Sequence, residues 1–136
     1  MTNVIIVGGS EETRLLLRGL LRLHRQRVLG EGANEAYLER MPDSPPPDVL
    51  VLDVNLEEPA WRDAVRIALR HHPGLRAVLL TPSRGARVEE LAREAGIAAL
   101  VRRPFAVHEL IEAVAPASLL ESPAGPGASL PPYSQT

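Results

Sequence analysis

Residues 49–56, Val49-Leu50-Val51-Leu52-Asp53-Val54-Asn55-Leu56, decide how this chain folds. Four apolar residues follow one another without a polar break and stop on a carboxylate. A strand with one wet face alternates apolar and polar residues, whereas an unbroken apolar run is buried on both faces, as in the middle of a parallel sheet. Such sheets present their chemistry at the carboxyl ends of the strands. Asp53 is therefore the first candidate site residue.

Towards the N-terminus the same pattern recurs. Val4-Ile5-Ile6-Val7 is apolar and β-branched and runs straight into Gly8-Gly9-Ser10. Glu11 to Leu23 then reads as a helix, with Leu15, Leu16, Leu20 and Leu21 at helical spacing and arginines between them. Ser10 is placed to cap it, and Glu11 and Glu12 suit its positive end. Arg27-Val28-Leu29 is a weak second strand and Ala33 to Met41 a short helix. The run Pro42-Asp43-Ser44-Pro45-Pro46-Pro47 forbids regular structure.

Towards the C-terminus, Ala60 to His71 reads as a helix closed by His72-Pro73-Gly74. Ala77 to Thr81 is a fourth strand, Arg87 to Ala95 a helix ended by Gly96, Ala98 to Val101 a fifth strand and Val107 to Val114 a last helix. Strands alternating with helices imply a parallel sheet covered on both faces, joined by right-handed crossovers. From Pro116 the chain turns rich in Pro, Gly, Ser and Ala. The expected organisation is a domain over residues 1–115 and a flexible tail or linker over 116–136.

Composition removes several functions. All 15 cationic residues are arginine, so no lysine amine is available for Schiff-base chemistry. With no cysteine there are no disulfides, no thiol catalysis and none of the common zinc sites. The net charge of -2 gives no basic field for nucleic acid, and aromatics at 3% leave no stacking platform for bases. No apolar run is long enough to span a bilayer, and a cytoplasmic protein without membrane contact is expected.

The order of these landmarks resembles the receiver domain of two-component response regulators, from about Asn3 to Ala115. "VLVLDVNL" resembles the strand of that family that ends in the phospho-acceptor, here Asp53. "HHPGLRAVLLT" (residues 71–81) resembles the approach to the switch hydroxyl, here Thr81. "EAGIAALVRRPF" (residues 94–105) resembles the segment whose lysine precedes proline and phenylalanine. "VIIVGGSEETRLLL" (residues 4–17) aligns with a strand that ends in two acidic residues. The resemblance implies a flavodoxin-like three-layer α/β sandwich with a five-stranded parallel sheet of order 2-1-3-4-5.

The chain departs from that family where the chemistry sits. The acidic pair falls on Gly8 and Gly9, the lysine on Arg103, and the aromatic switch on Leu100. Asp53, Asn55, Thr81 and Pro104 match. In the family, two carboxylates and a backbone carbonyl, here that of Asn55, hold Mg²⁺, which offsets charge on the transferring phosphoryl group. Three carboxylates and a lysine sum to -2 and call for a divalent cation; Asp53 and Arg103 sum to zero. Arginine grips a carboxylate with a planar fork. An internal Arg103–Asp53 ion pair in place of the metal is expected, with weak or absent Mg²⁺ binding. The resemblance also implies a cis peptide bond before Pro104.

Other residues carry two readings. Gly8-Gly9 is an anion-binding nest or a plain tight turn, and no dinucleotide or P-loop fingerprint follows it. Trp61 is a pocket-rim or interface residue, or a side chain packed on the sheet. His71-His72 is better explained by the negative helix C-terminus than by a metal. Arg102 is a solvated charge. No Ser-His-Asp or Cys-His constellation can be assembled, and the chain is not expected to be an enzyme.

The function these features imply is a degenerate receiver in phosphorelay signalling that acts by protein–protein contact, with weak or no phosphorylation of Asp53. Its partners would be a histidine kinase or phosphotransfer protein, with homodimerisation or partner contact through residues 87–114. Two alternatives stand beside it: a receiver still accepting phosphate at Asp53, and a pseudo-receiver that senses a small molecule or anion.

Overall fold

The structure is a computed structural model, and it describes residues 1–42 and 44–116. The tail expected from residue 116 therefore lies, apart from Pro116, outside the described residues. Ten elements alternate along the chain: β1 (Asn3–Gly8), α1 (Glu11–Leu23), β2 (Arg27–Gly32), α2 (Ala36–Arg40), β3 (Val49–Asp53), α3 (Ala60–His71), β4 (Arg76–Thr81), α4 (Ala86–Glu94), β5 (Ala99–Arg102) and α5 (Val107–Val114). The strands form one parallel sheet in the order β2-β1-β3-β4-β5. This is the flavodoxin-like arrangement expected from the sequence.

The unbroken apolar runs work because successive side chains leave a strand on opposite faces. Ile5, Val7, Leu50, Leu52, Ala77 and Leu79 project to one side and pack against α2, α3 and α4. Val4, Ile6, Val49, Val51, Val78 and Leu80 project to the other and meet Leu17 and Leu21 of α1 and Leu110, Ala113 and Val114 of α5. Both faces are thus covered, which gives the three layers. Arg76 closes the lower end of the second layer, donating to the carbonyls of Ala113 and Val114 at the end of α5. Cations suit a helix C-terminus, where carbonyls are left without intrahelical partners.

Three elements differ from the sequence expectation. β2 runs on through Gly30-Glu31-Gly32, residues with poor strand propensity. Tertiary contacts override that preference. A Cβ at Gly30 would strike the Tyr37 hydroxyl and one at Gly32 the Tyr37 Cβ, so the glycines make the seat for the Tyr37 ring. Glu31 is held from α1 by Arg14 at 3.2 Å and Arg18 at 2.7 Å. α2 is shorter than expected because Asn34 accepts a hydrogen bond from the Ala36 N–H and sets the turn before it, while Pro42 keeps Met41 extended. In α1 the leucines at the sheet are Leu17 and Leu21, not Leu15 and Leu16.

Candidate functional site at the carboxyl edge of the sheet

The carboxyl ends of β1, β3, β4 and β5 converge on Asp53. The register sets Gly8 beside Asp53, Asp53 beside Leu80, and Thr81 beside Arg102. Arg103 follows directly, anchored by its own N–H to the Thr81 carbonyl at 2.9 Å. Its Nη2 donates to Oδ2 of Asp53 at 2.7 Å. The Asp53 side chain is 13% exposed and that of Arg103 32%, so the pair is largely withdrawn from water. The Arg103 guanidinium also lies over the Phe105 ring, 5.8 Å from its centre. The Arg103–Pro104 peptide bond is cis, as the resemblance implied; Ser44–Pro45 is a second cis bond.

The opening turn is shaped around the same carboxylate. Gly8 and Gly9 both adopt positive φ, at 94° and 73°. Their carbonyls accept from Nη1 of Arg14, at 3.2 Å and 2.7 Å. Ser10 caps α1 through the Thr13 N–H at 3.1 Å. Glu11 and Glu12, in the first turn, are exposed.

On the other side of Asp53 a serine organises the loops. The Thr81 hydroxyl is buried and donates to Oγ of Ser83 at 3.1 Å. Ser83 Oγ accepts from the Leu56 N–H at 3.2 Å and approaches Oδ1 of Asn55 at 3.3 Å. The expected switch hydroxyl is thus bound into a small network that ties the loop after β4 to the loop after β3. Leu100, in the place of the family's aromatic, packs into the core on the α4 side.

Trp61 is only 2% exposed and donates its indole N–H to the Leu56 carbonyl, which settles it as a packed residue that also lines the pocket. His71 Nε2 lies 3.3 Å from a carboxylate oxygen of Glu39 on α2. Arg102 is not a free solvated charge but an ion-pair partner of Glu89 on α4, at 2.8 Å.

A cavity of about 290 Å³ opens above this edge, lined among others by Gly8, Gly9, Asn34, Asp53, Asn55 and Trp61. A Mg²⁺ ion takes hard oxygen ligands, commonly with one or two carboxylates. Here the turn after β1 offers no carboxylate, and Oδ2 of Asp53 is taken by Arg103. The Asn55 carbonyl already accepts from the Glu58 N–H at 3.0 Å. Among the described residues no group of three or more His, Asp or Glu side chains is placed to hold a metal. This donor set does not fit the ion.

Sequence reasoning missed Ser83 and Arg14. Ser83 was signalled by its place two residues after Thr81, a spacing at which hydroxyls bond across a turn. Arg14 carried no signal, because its partners lie on other elements.

No family model matches the chain. Protein CcdB of Bacillus subtilis is 25% identical over 114 residues, 84% of this chain and 95% of that protein. A two-component response regulator of the LuxR family from Aurantimonas superposes with a TM-score of 0.71 at 24% identity, covering 82% of this chain and 81% of that one. A CheY-like response regulator receiver domain protein from Methanospirillum hungatei gives 0.67 at 16% identity, covering 82% and 89%. With its strand order, its layers and an aspartate at the end of β3, the chain has the receiver fold of response regulators.

Proposed function

We propose that this chain is a degenerate receiver module of two-component signalling, working in the cytoplasm by protein–protein contact and not as an enzyme. The observation that carries the reading is the Arg103–Asp53 ion pair. It sets a fixed internal cation against the carboxylate and engages one of its two oxygens, Oδ2. Glycines in place of the acidic pair remove the other carboxylates that hold Mg²⁺ in the family, so binding of that ion is weak or absent. Phosphoryl transfer draws nearly all its catalysis from positioning and charge compensation. Without the cation, Asp53 is a poor acceptor from a histidine kinase or phosphotransfer protein.

Signalling then depends on surfaces. The face from residue 87 to 114 suits a partner: a groove along β5 is lined by Arg84, Leu100, Arg102, His108 and Glu112, mixing apolar and charged groups. The acidic character of the cavity above Asp53, which also includes Glu35 and Glu58, disfavours an anion as ligand.

The test is intact mass after incubation with a small phosphodonor and Mg²⁺, with Asp53→Asn as control. No mass increase in a folded wild-type protein is expected. A single added phosphoryl group in wild type alone would establish the alternative, an active receiver.

A further inference from the structure

Helix α1 carries a second apolar face that no described element covers. Leu17 and Leu21 meet the sheet, but Leu15, Leu16 and Leu23 are 56%, 63% and 76% exposed. At 3.6 residues per turn, residues 12, 16, 19 and 23 form one row on the side away from Leu17 and Leu21, with Leu15 and the half-buried Leu20 flanking it. Single exposed leucines are ordinary, whereas a contiguous row of them marks a contact surface.

Gly19 sits in the middle of this row. Glycine is the poorest helix former short of proline. Nothing in the fold asks for it, since a Cβ there would have no neighbour within 4 Å. A bare patch of backbone at the centre of a leucine row lets a second helix approach closely, because interaxial distance follows the size of the side chains at the contact.

The charges say which helix. Exposed Glu11 and Glu12 mark the start of α1, and exposed Arg22 and Arg25 its end. None of these four takes part in an ion pair among the described residues. Laid antiparallel against its own copy and crossing at Gly19, α1 sets its acidic start against the partner's basic end. Leu15 then lies against the partner's Leu23, and the two helix dipoles oppose. A parallel arrangement would bring like charges together.

We propose that α1 is a self-association surface, through which two copies of this chain pair about a twofold axis on Leu15, Leu16, Gly19 and Leu23. Such an interface is isologous, each copy giving and receiving the same contacts. A single pair of short helices falls below the ~800 Å² per partner of a standard interface, so the dimer is weak and dependent on concentration. It uses none of residues 87–114.

Sedimentation equilibrium of the full chain over a wide concentration range tests this. Wild type is expected to show a monomer–dimer equilibrium. Leu16→Glu combined with Leu23→Glu is expected to raise the dimer Kd by about tenfold or more, as loss of central contacts does. Gly19→Leu separates a blocked approach from a damaged fold: it should raise the dimer Kd similarly while its melting temperature holds or increases. A wild type that stays monomeric up to its solubility limit overturns the proposal. So does a dimer that survives both sets of substitutions, which would place the interface elsewhere.

Discussion

A Cβ atom added to Gly9 falls onto Oδ2 of Asp53, and one added to Gly8 falls onto the Asp53 backbone oxygen. At Gly8 the turn after β1 and the backbone end of β3 approach more closely than any residue but glycine allows, and at Gly9 the Asp53 carboxylate fills the space. Both glycines also hold positive φ, where side chains are strained. The two glycines are therefore more than carboxylates lost; Asp53 now occupies the space that their side chains would need. Restoring Gly9→Asp is expected to lower stability by about 2 kcal/mol, from strain and overlap together, without creating a Mg²⁺ site. Urea unfolding and calorimetric Mg²⁺ titration of the same variant check both halves. Unchanged stability with new Mg²⁺ affinity would mean that the turn is adaptable and only the carboxylates are missing.

The Arg103–Asp53 pair links the end of β3 to the loop after β5, and its strength is measurable. Arg103→Ala leaves a largely buried carboxylate without its partner and is expected to cost about 1–3 kcal/mol, below the range for a fully buried pair because Arg103 keeps some water. In a double-mutant cycle with Asp53→Asn, the second substitution should remove much of that cost. A coupling energy of about 1 kcal/mol or more is expected. A coupling near zero would show that the pair contributes no stability and leaves Asp53 available.

The parts of this fold legible in the sequence are those that one element decides by itself. α3 and α5 have the expected bounds and β3 ends at Asp53, because an apolar run or a proline punctuates each of them. Asp53 was readable as a carboxylate at a strand end, and Thr81 and Arg103 as candidates through the resemblance to the receiver pattern. What needed a second element was not legible. Gly30 and Gly32 look like turn residues until Tyr37 is laid across them. Arg14 and Arg18 look like the outer face of α1, yet they fold their stems inward and pair with Glu31 of β2. With leucines nearly all round that helix, periodicity alone could not say which of them faced the sheet.

The true inner face of α1 gives a sharp contrast between neighbours in sequence. Leu17 is 1% exposed and Leu16 63%. Leu17→Ala opens a cavity among Val4, Ile6, Leu110 and the other residues of that layer, and is expected to cost about 3 kcal/mol. Leu16→Ala should fall within about 0.5 kcal/mol of wild type, as exposed substitutions do. Chemical unfolding of both variants at low protein concentration, where copies are apart, decides it. A large loss from Leu16→Ala would mean that some part of the chain covers this face.

Tyr37 gives the fold an alkaline limit. Its hydroxyl is pushed above the ordinary value of 10.0, first by burial against β2 and further by the charge of Glu31, with Arg40 opposing. The folded state thus prefers the neutral phenol more strongly than the unfolded chain does. This contribution is fully present below the unfolded pKa of about 10 and is lost as pH rises through the raised folded value. The composition leaves that window unusually clear: the chain has no lysine and no cysteine, so tyrosine is the only side chain type that ordinarily titrates between about pH 9 and 11. Stability measured by urea unfolding is expected to be flat from neutral pH to about 9 and to fall above about 10. In Tyr37→Phe the alkaline fall should largely disappear, while the ring keeps its seat over Gly30 and Gly32. A variant that loses stability with pH as steeply as wild type would show that another group, not the Tyr37 hydroxyl, sets the limit.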